Sequence, residues 1–396
     1  MIHREGNRSR RFFESRFREG PWCGPLFTKL FATSSNRRGF DTQEGAGSFP
    51  RSRRRTWVAL ALVACASAAT AQSSGAVGEQ RGMPYEAFTT LPISRLEVGG
   101  GVIEVAIAPG PLDLGHQPLL DWIATSARAV TAYYGRFPVP RVRVLLIPFS
   151  GRGIRSGTTY GYRGAAIKAS VGRETQAEDL TRDWVMTHEM VHLALPQLVG
   201  DHDWLGEGIA TYVEPIGRVQ AGSLAVEKVW SDLVDGLPKG LPKPGDRGLD
   251  RTPTWGRTYW GGALFCLLAD IDIRQRTENR QGLEDSLRAV NAEGGNVEKH
   301  WKIERVFEVG DRATGVGVLA ELYERMKATP VDVDLAHLWQ QLGVKIDGET
   351  ISFDDAAPLA SVRRAITAPH APVVARPSSF SAHDEPMPRR AGVLGH

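Results

Sequence analysis

The sequence predicts an α+β protein in which a small twisted sheet packs on one motif-bearing helix and is followed by a mostly helical lobe. Three observations carry this. Alternating, β-branched stretches are confined to residues 96–171. From residue 225 onward, apolar positions recur at helical spacing. The 396 residues are 42% hydrophobic and 23% charged, ordinary globular usage that can enclose a buried site without disulfides.

Taken in order, residues 1–50 form a basic segment rich in Arg, Gly and Ser without sustained periodicity, read as an overcalled start or a disordered arm. Residues 51–71 read as a signal peptide: Arg51, Arg53, Arg54 and Arg55, then an apolar run from Trp57 to Ala64, then small residues ending at Ala71. The apolar run is too short to span a bilayer as a stable helix. Leu62-Val63-Ala64-Cys65 also resembles a lipoprotein box, so cleavage at Ala71 and lipid attachment at Cys65 both stay open. Either way the protein is expected to be exported, as a periplasmic, envelope-attached or secreted protein, and to meet a membrane only through Cys65. The other cysteines are Cys23 and Cys266, so the folded part has no pair to bridge, and Cys266 reads as core.

A linker over 72–86 leads into a sheet and motif-helix subdomain over 87–220. Leu96–Ala108 alternates around Gly99-Gly100-Gly101, predicting a hairpin; 119–133 has helical spacing; 141–148 is a strand. Residues 165–171 read as an edge strand, either ordinary or able to receive an extended peptide. Helices are expected over 178–195 and 204–214. In a helical subdomain over 221–367, helices are expected over 225–234, 259–274, 283–292, 316–327, 334–342 and 355–366, with a Gly/Pro-rich loop over 236–256 and a hairpin at Asp347-Gly348. Residues 368–396 read as a disordered tail.

Residues 1–55 carry 13 basic and 5 acidic residues, leaving 35 basic and 40 acidic residues for the rest, so a net charge of +3 hides a mildly acidic body. No basic field for nucleic acid is present there, and that class is set aside.

His188-Glu189-Met190-Val191-His192 is H-E-x-x-H. On a helix, histidines four apart share one face and can hold one zinc ion, with Glu189 beside the remaining coordination position. Trp204-Leu205-Gly206-Glu207-Gly208-Ile209-Ala210-Thr211-Tyr212-Val213-Glu214 then offers Glu207 as a third ligand between two glycines. Two histidines and a carboxylate leave a fourth position for water, whose pKa zinc lowers to about 7, so that Glu189 can take its proton.

These stretches resemble the gluzincin metallopeptidases, specifically the glycyl aminopeptidase family and more distantly the aminopeptidase N family, whose third-ligand helix reads W-L-x-E-G-x-A-x-Y-x-E. The resemblance covers about residues 180–290 and extends to Tyr259-Trp260-Gly261-Gly262-Ala263-Leu264 and to Leu268–Arg274. It implies a zincin, thermolysin-like catalytic domain, a Zn2+ cofactor, a peptide or protein substrate, and Tyr259 as the donor to the oxyanion; as a plain residue, Tyr259 also reads as a buried helix-start aromatic. Two departures stand out. Fourteen residues separate His192 from Glu207, a few fewer than in aminopeptidase N relatives, and no Gly-Ala-Met-Glu-Asn stretch precedes the first helix to anchor a substrate's amino group.

Asp201, His202 and Asp203 are rival third ligands. Leu198 stands where a metzincin needs its third His, which excludes that class. Glu214 reads equally as an acceptor orienting a ligand or as a solvated residue, and Trp184 and Trp204 read as packing. Other readings are a non-catalytic envelope lipoprotein on the same scaffold, which an intact Glu189 weighs against, and a zinc amidase acting on a non-peptide amide.

Overall fold

A computed structural model describes residues 82–369. The basic segment, the signal stretch with Cys65, most of the linker and nearly all of the tail lie outside the described residues. Among the described residues, no helix is long and apolar enough to cross a membrane.

The chain enters as a short strap. Met83, Tyr85 and Ala87 are buried, the last in a one-turn helix α1 (Ala87–Thr90), so the end of the expected linker is packed against the sheet. β1 (Ile93–Val98) and β2 (Gly101–Ile107) form the predicted hairpin, whose turn needs Gly99 and Gly100 at φ 57° and 83°. α2 (His116–Tyr134) crosses over to β3 (Arg141–Phe149), parallel to β2. β4 (Ile154–Tyr160) and β5 (Ala166–Gly172) follow. The strand order is β1-β2-β3-β5-β4.

That order corrects the sequence reading: residues 165–171 are an interior strand, parallel to β3 on one side and antiparallel to β4 on the other, and the edge belongs to β4. The reason is hydrophobicity. Ala166, Ile167, Ala169 and Val171 are buried, as an interior strand requires, while the Gly/Thr-rich β4 has little to bury. Side chains alternate between the faces: Val105, Val144, Ile167 and Ala169 join the main core with the helices, while Ala106, Leu145, Tyr160 and Ala166 pack under the strap.

The helix expected over 178–195 is two helices, α3 (Ala177–Arg182) and α4 (Val185–His192). Asp183 breaks them, because its Oδ2 accepts the Met186 amide at 3.1 Å and the Trp122 indole N–H at 3.1 Å, fixing a new helix start. α4 lies against β4, α2 and the next helix, α5 (Asp203–Gln220). α5 buries Leu205, Ile209, Tyr212, Val213 and Ile216 at helical spacing and runs through Pro215, past the expected end at Glu214. α6 (Val226–Gly240) likewise continues through Pro238, so the expected loop starts later.

Arg257–Gly261 is a π-helical turn leading into α7 (Gly262–Arg276). α8 (Leu283–Ala292) has the predicted bounds, and α9 (Ile303–Thr314) was not expected. α10 (Val318–Met326), α11 (Leu335–Leu342), a hairpin of β8 (Val344–Asp347) and β9 (Thr350–Phe353), and α12 (Ala360–Thr367) complete the lobe. One apolar core runs from Ile103 in the sheet to Ile366 in α12.

Two close contacts set the frame of the site. A Cβ on Gly208 would lie 2.3 Å from the carbonyl carbon of Gly262, so α5 and the start of α7 touch backbone to backbone. The backbone of Val297 gathers three segments: its N–H donates to Leu193 O just past α4 (3.2 Å), its carbonyl oxygen accepts from Gln197 Nε2 (3.0 Å), and Gly161, just past β4, lies so near that a Cβ there would be 1.9 Å from that oxygen. The short strands β6 (Gln197–Leu198) and β7 (His300–Trp301) extend this junction.

Candidate active site

His188 and His192 face the same way from α4, and Glu207 reaches them from the first turns of α5. Glu207 Oε2 lies 3.2 Å from His188 Nε2 and 3.5 Å from His192 Nε2, and the three ligand atoms all fall within 4.8 Å of one another. Zinc bonds of about 2.0–2.2 Å at tetrahedral angles separate ligand atoms by roughly 3.4 Å, so both measured edges fit one ion held by two nitrogens and an oxygen. Among the described residues this is the one cluster of that kind. His188 is buried, while His192 and Glu207 are partly open, so the triangle has an accessible side.

The three groups are strongly coupled electrostatically. Burial would raise the Glu207 carboxyl, but the His192 charge and hydrogen bonds with both imidazoles hold it far below the usual carboxylate range. Burial would likewise lower His192, and the charge of Glu207 and their hydrogen bond raise it to about 9. Trp184 packs edge-on against the His188 ring (centroids 5.3 Å apart), which supports its expected packing role.

Glu189, between the two histidines, is buried under β4. Thr159 Oγ1 lies 2.6 Å from Glu189 Oε2 and 2.8 Å from Glu189 O. Gly157, two residues earlier and so on the same strand face, leaves the space the carboxylate fills: a Cβ there would sit 2.5 Å from Glu189 Cγ. Neither residue was singled out in the sequence, although a glycine inside a strand signals a close approach.

Tyr259 sits on the π-helical turn, its ring stacked at 6.3 Å over His188 and backed at 5.9 Å by the exposed Trp255. Its phenol is pushed far above its usual range by burial, then by the charges of Glu207 and Glu189 and a hydrogen bond to Glu207, so it stays protonated and able to donate. Extra residues in a π turn commonly mark functional positions, and here the turn carries the phenol to the triad.

The rival ligand His202 turns away, with Nδ1 3.0 Å from Asp250 Oδ1, an acceptor shared with the Trp204 indole at 2.8 Å. Glu214 is neither solvated nor turned to a ligand. It is buried, and its Oε1 accepts from Arg218 Nη1 at 2.8 Å, while Arg218 Nη2 donates to Thr181 O at the end of α3. Asp270 and Arg274 form a buried frame: Asp270 accepts from Tyr212 Oη (2.9 Å) and Arg274 Nε (2.8 Å), and Arg274 Nη2 bridges to Glu284. Cys266 is buried, and burial pushes its thiol up, as suits a core residue.

No protein-family model matches the chain, and no curated protein matches it by sequence. Solved structures align with part of this mixed α/β chain. An aminopeptidase N family protein from Idiomarina loihiensis aligns at 13% identity over 65% of this chain and 50% of its own, with a TM-score of 0.49. An M1 zinc metallopeptidase from Deinococcus radiodurans aligns at 12% identity over 61% of this chain and 51% of its own, with a TM-score of 0.40. The chain thus spans about half the length of the solved structures it matches.

Proposed function

We propose that this chain is an exported, zinc-dependent peptidase of gluzincin type that hydrolyses peptide bonds outside the cytoplasm. The observation that carries the reading is the convergence of His188, His192 and Glu207 at zinc-sized spacing, with Glu189 on the same helix held by Thr159 and the Tyr259 ring stacked on His188. When bound, zinc supplies a Lewis acid that makes water nucleophilic at neutral pH and polarises the carbonyl under attack. Glu189 accepts the attacking water's proton and passes it to the leaving amine. The Tyr259 hydroxyl donates a hydrogen bond to the oxygen that gains negative charge as the carbonyl carbon becomes tetrahedral.

Export rests on the signal-like residues 51–71, with lipid attachment at Cys65 as the alternative end. The test is cleavage of an internally quenched peptide library, with blocked and free N-termini, by the purified protein. Cleavage is expected to stop with a chelator, return with zinc, and fall by about 10²–10⁴-fold in Glu189→Gln at unchanged zinc content. A Glu189→Gln protein as active as the wild type defeats the reading.

A further inference from the structure

We infer that Thr159 is the positioning residue for Glu189: its hydroxyl holds one carboxylate oxygen so that the other is aimed at the triad. The inference rests on the proposed role of Glu189 as proton acceptor. A threonine hydroxyl has one proton to give, and two acceptors are in reach, Glu189 Oε2 at 2.6 Å and Glu189 O at 2.8 Å. The shorter contact lies in the range of a hydroxyl donating to a carboxylate, which is also the stronger bond. Oε2 is thereby engaged, and Oε1 is left to exchange protons.

The strand makes this possible by pairing two unlike residues on one face. Gly157 and Thr159 stand opposite Ala169 and Ile167 of β5, two positions apart, so both point toward α4. At 157 any side chain would strike the base, since a Cβ would come within 2.8 Å of Oε1 and 2.5 Å of Cγ. At 159 the side chain is long enough to touch the same carboxylate with a donor. One position therefore clears space around Oε1 while the other fixes Oε2. Glu189 is long and has three side-chain torsions, and a carboxylate free to rotate would spend much of its time misaimed.

The experiment compares Thr159→Val, which keeps the branched shape without the hydroxyl, with Thr159→Ser, which keeps the hydroxyl. On a peptide cleaved by the wild type, Thr159→Val is expected to lower kcat roughly 10- to 100-fold with KM within about twofold and zinc content unchanged, and Thr159→Ser to restore most of kcat. A purely structural role predicts instead a fall in zinc content or melting temperature without the split between kcat and KM. A second readout needs no turnover: acetohydroxamic acid titrated into the zinc-loaded protein by calorimetry, a probe whose acidic proton an aimed carboxylate accepts. Weaker binding in Thr159→Val and Glu189→Gln, but not in Thr159→Ser, supports the positioning role even if no peptide is cleaved, in which case only the peptidase reading fails. Full kcat and unchanged hydroxamate affinity in Thr159→Val overturn the inference. A wild type that neither cleaves peptides nor binds the hydroxamate overturns both.

Discussion

Replacing Gly208 by alanine plants a methyl group between two backbones. The new Cβ would lie 2.3 Å from Gly262 C and 2.4 Å from Gly262 Cα, neither of which is a flexible side-chain end. Ordinary carbon contacts begin near 3.5 Å, so α5 and α7 must separate by roughly 1 Å. Overpacking of this kind costs about 1–3 kcal/mol, and at about 2–4 °C per kcal/mol for a domain of this size the melting temperature should fall by roughly 2–12 °C. Glu207 precedes Gly208 and Tyr259 lies one turn before Gly262, so the same shift moves the carboxylate relative to the phenol. A displacement near 1 Å costs on the order of a hundredfold in rate. Gly206, on the other side of Glu207, is the control. A Cβ there meets nothing nearer than Leu195 Cδ2 at 4.0 Å, and alanine in place of a helical glycine gains up to about 1 kcal/mol. The assay is thermal unfolding with peptide turnover and zinc content for both variants. If Gly208→Ala melts like the wild type and keeps kcat/KM within about twofold, the contact does not set the site and the reasoning fails.

Glu207→Ala should leave the fold intact and lower zinc occupancy, read by native mass spectrometry; full occupancy would remove Glu207 from the ligand set. Tyr259→Phe keeps the ring stacking and loses the donor, so kcat should fall about 10²–10³-fold with KM little changed, and an unchanged kcat would return Tyr259 to a packing role. Stability should also depend on pH through Asp183, whose carboxyl burial pushes up from 3.8 to about 6 against hydrogen bonds from Met186, Val185 and Trp122. Its protonated form is favoured in the fold, so its stabilising contribution is complete below about pH 4 and disappears as pH rises through about 6. At 1.36 kcal/mol per pKa unit the change is about 3 kcal/mol. Asp183→Asn, which keeps the acceptor for Met186 and Trp122, should therefore gain on the wild type in urea denaturation at pH 8 and lose that advantage towards pH 4; parallel stability curves would contradict this.

Much of the site was legible because its chemistry is periodic. His188 and His192 are four apart on a helix, so spacing paired them, while Glu207 stood out from Asp201, His202 and Asp203 only through the motif density of the Trp204–Glu214 run. The related motif leaves the place of Gly206 open and demands glycine at 208; room beside one and the Gly262 backbone beside the other give the physical reason. The hairpin at Gly99-Gly100 and α8 were readable for similar local causes, a turn needing positive φ and a clean apolar stripe. What was not legible is decided by partners remote in sequence. Whether β4 or β5 takes the edge depends on which one pairs with β3, and both runs are short and poor in large side chains. Asp183 looks like any helix residue until Trp122, 61 positions away, meets its carboxylate. Thr159 looks like any strand residue until Glu189 lies beneath it. α9 was missed because its apolar residues are interleaved with Glu304, Arg305, Glu308, Asp311 and Arg312, although Ile303, Val306, Phe307 and Gly310 line one buried face.

The junction at Val297 ties down one end of the candidate site. β4 and α4 flank the Glu189 carboxylate, and both end on one residue, Val297, that comes from more than a hundred residues downstream. That end is cinched. The opposite end, where β4 begins, has an irregular register between Ile154 and Ser156. It is tied elsewhere, by the Gly153 N–H donating to Thr175 Oγ1 at 3.0 Å and by Arg152 Nε donating to Asp179 Oδ2 at 2.6 Å. The strand above Glu189 is thus hung from two remote segments, and substitutions around Asn296 or Thr175 should shift it relative to that carboxylate without altering any member of the triad.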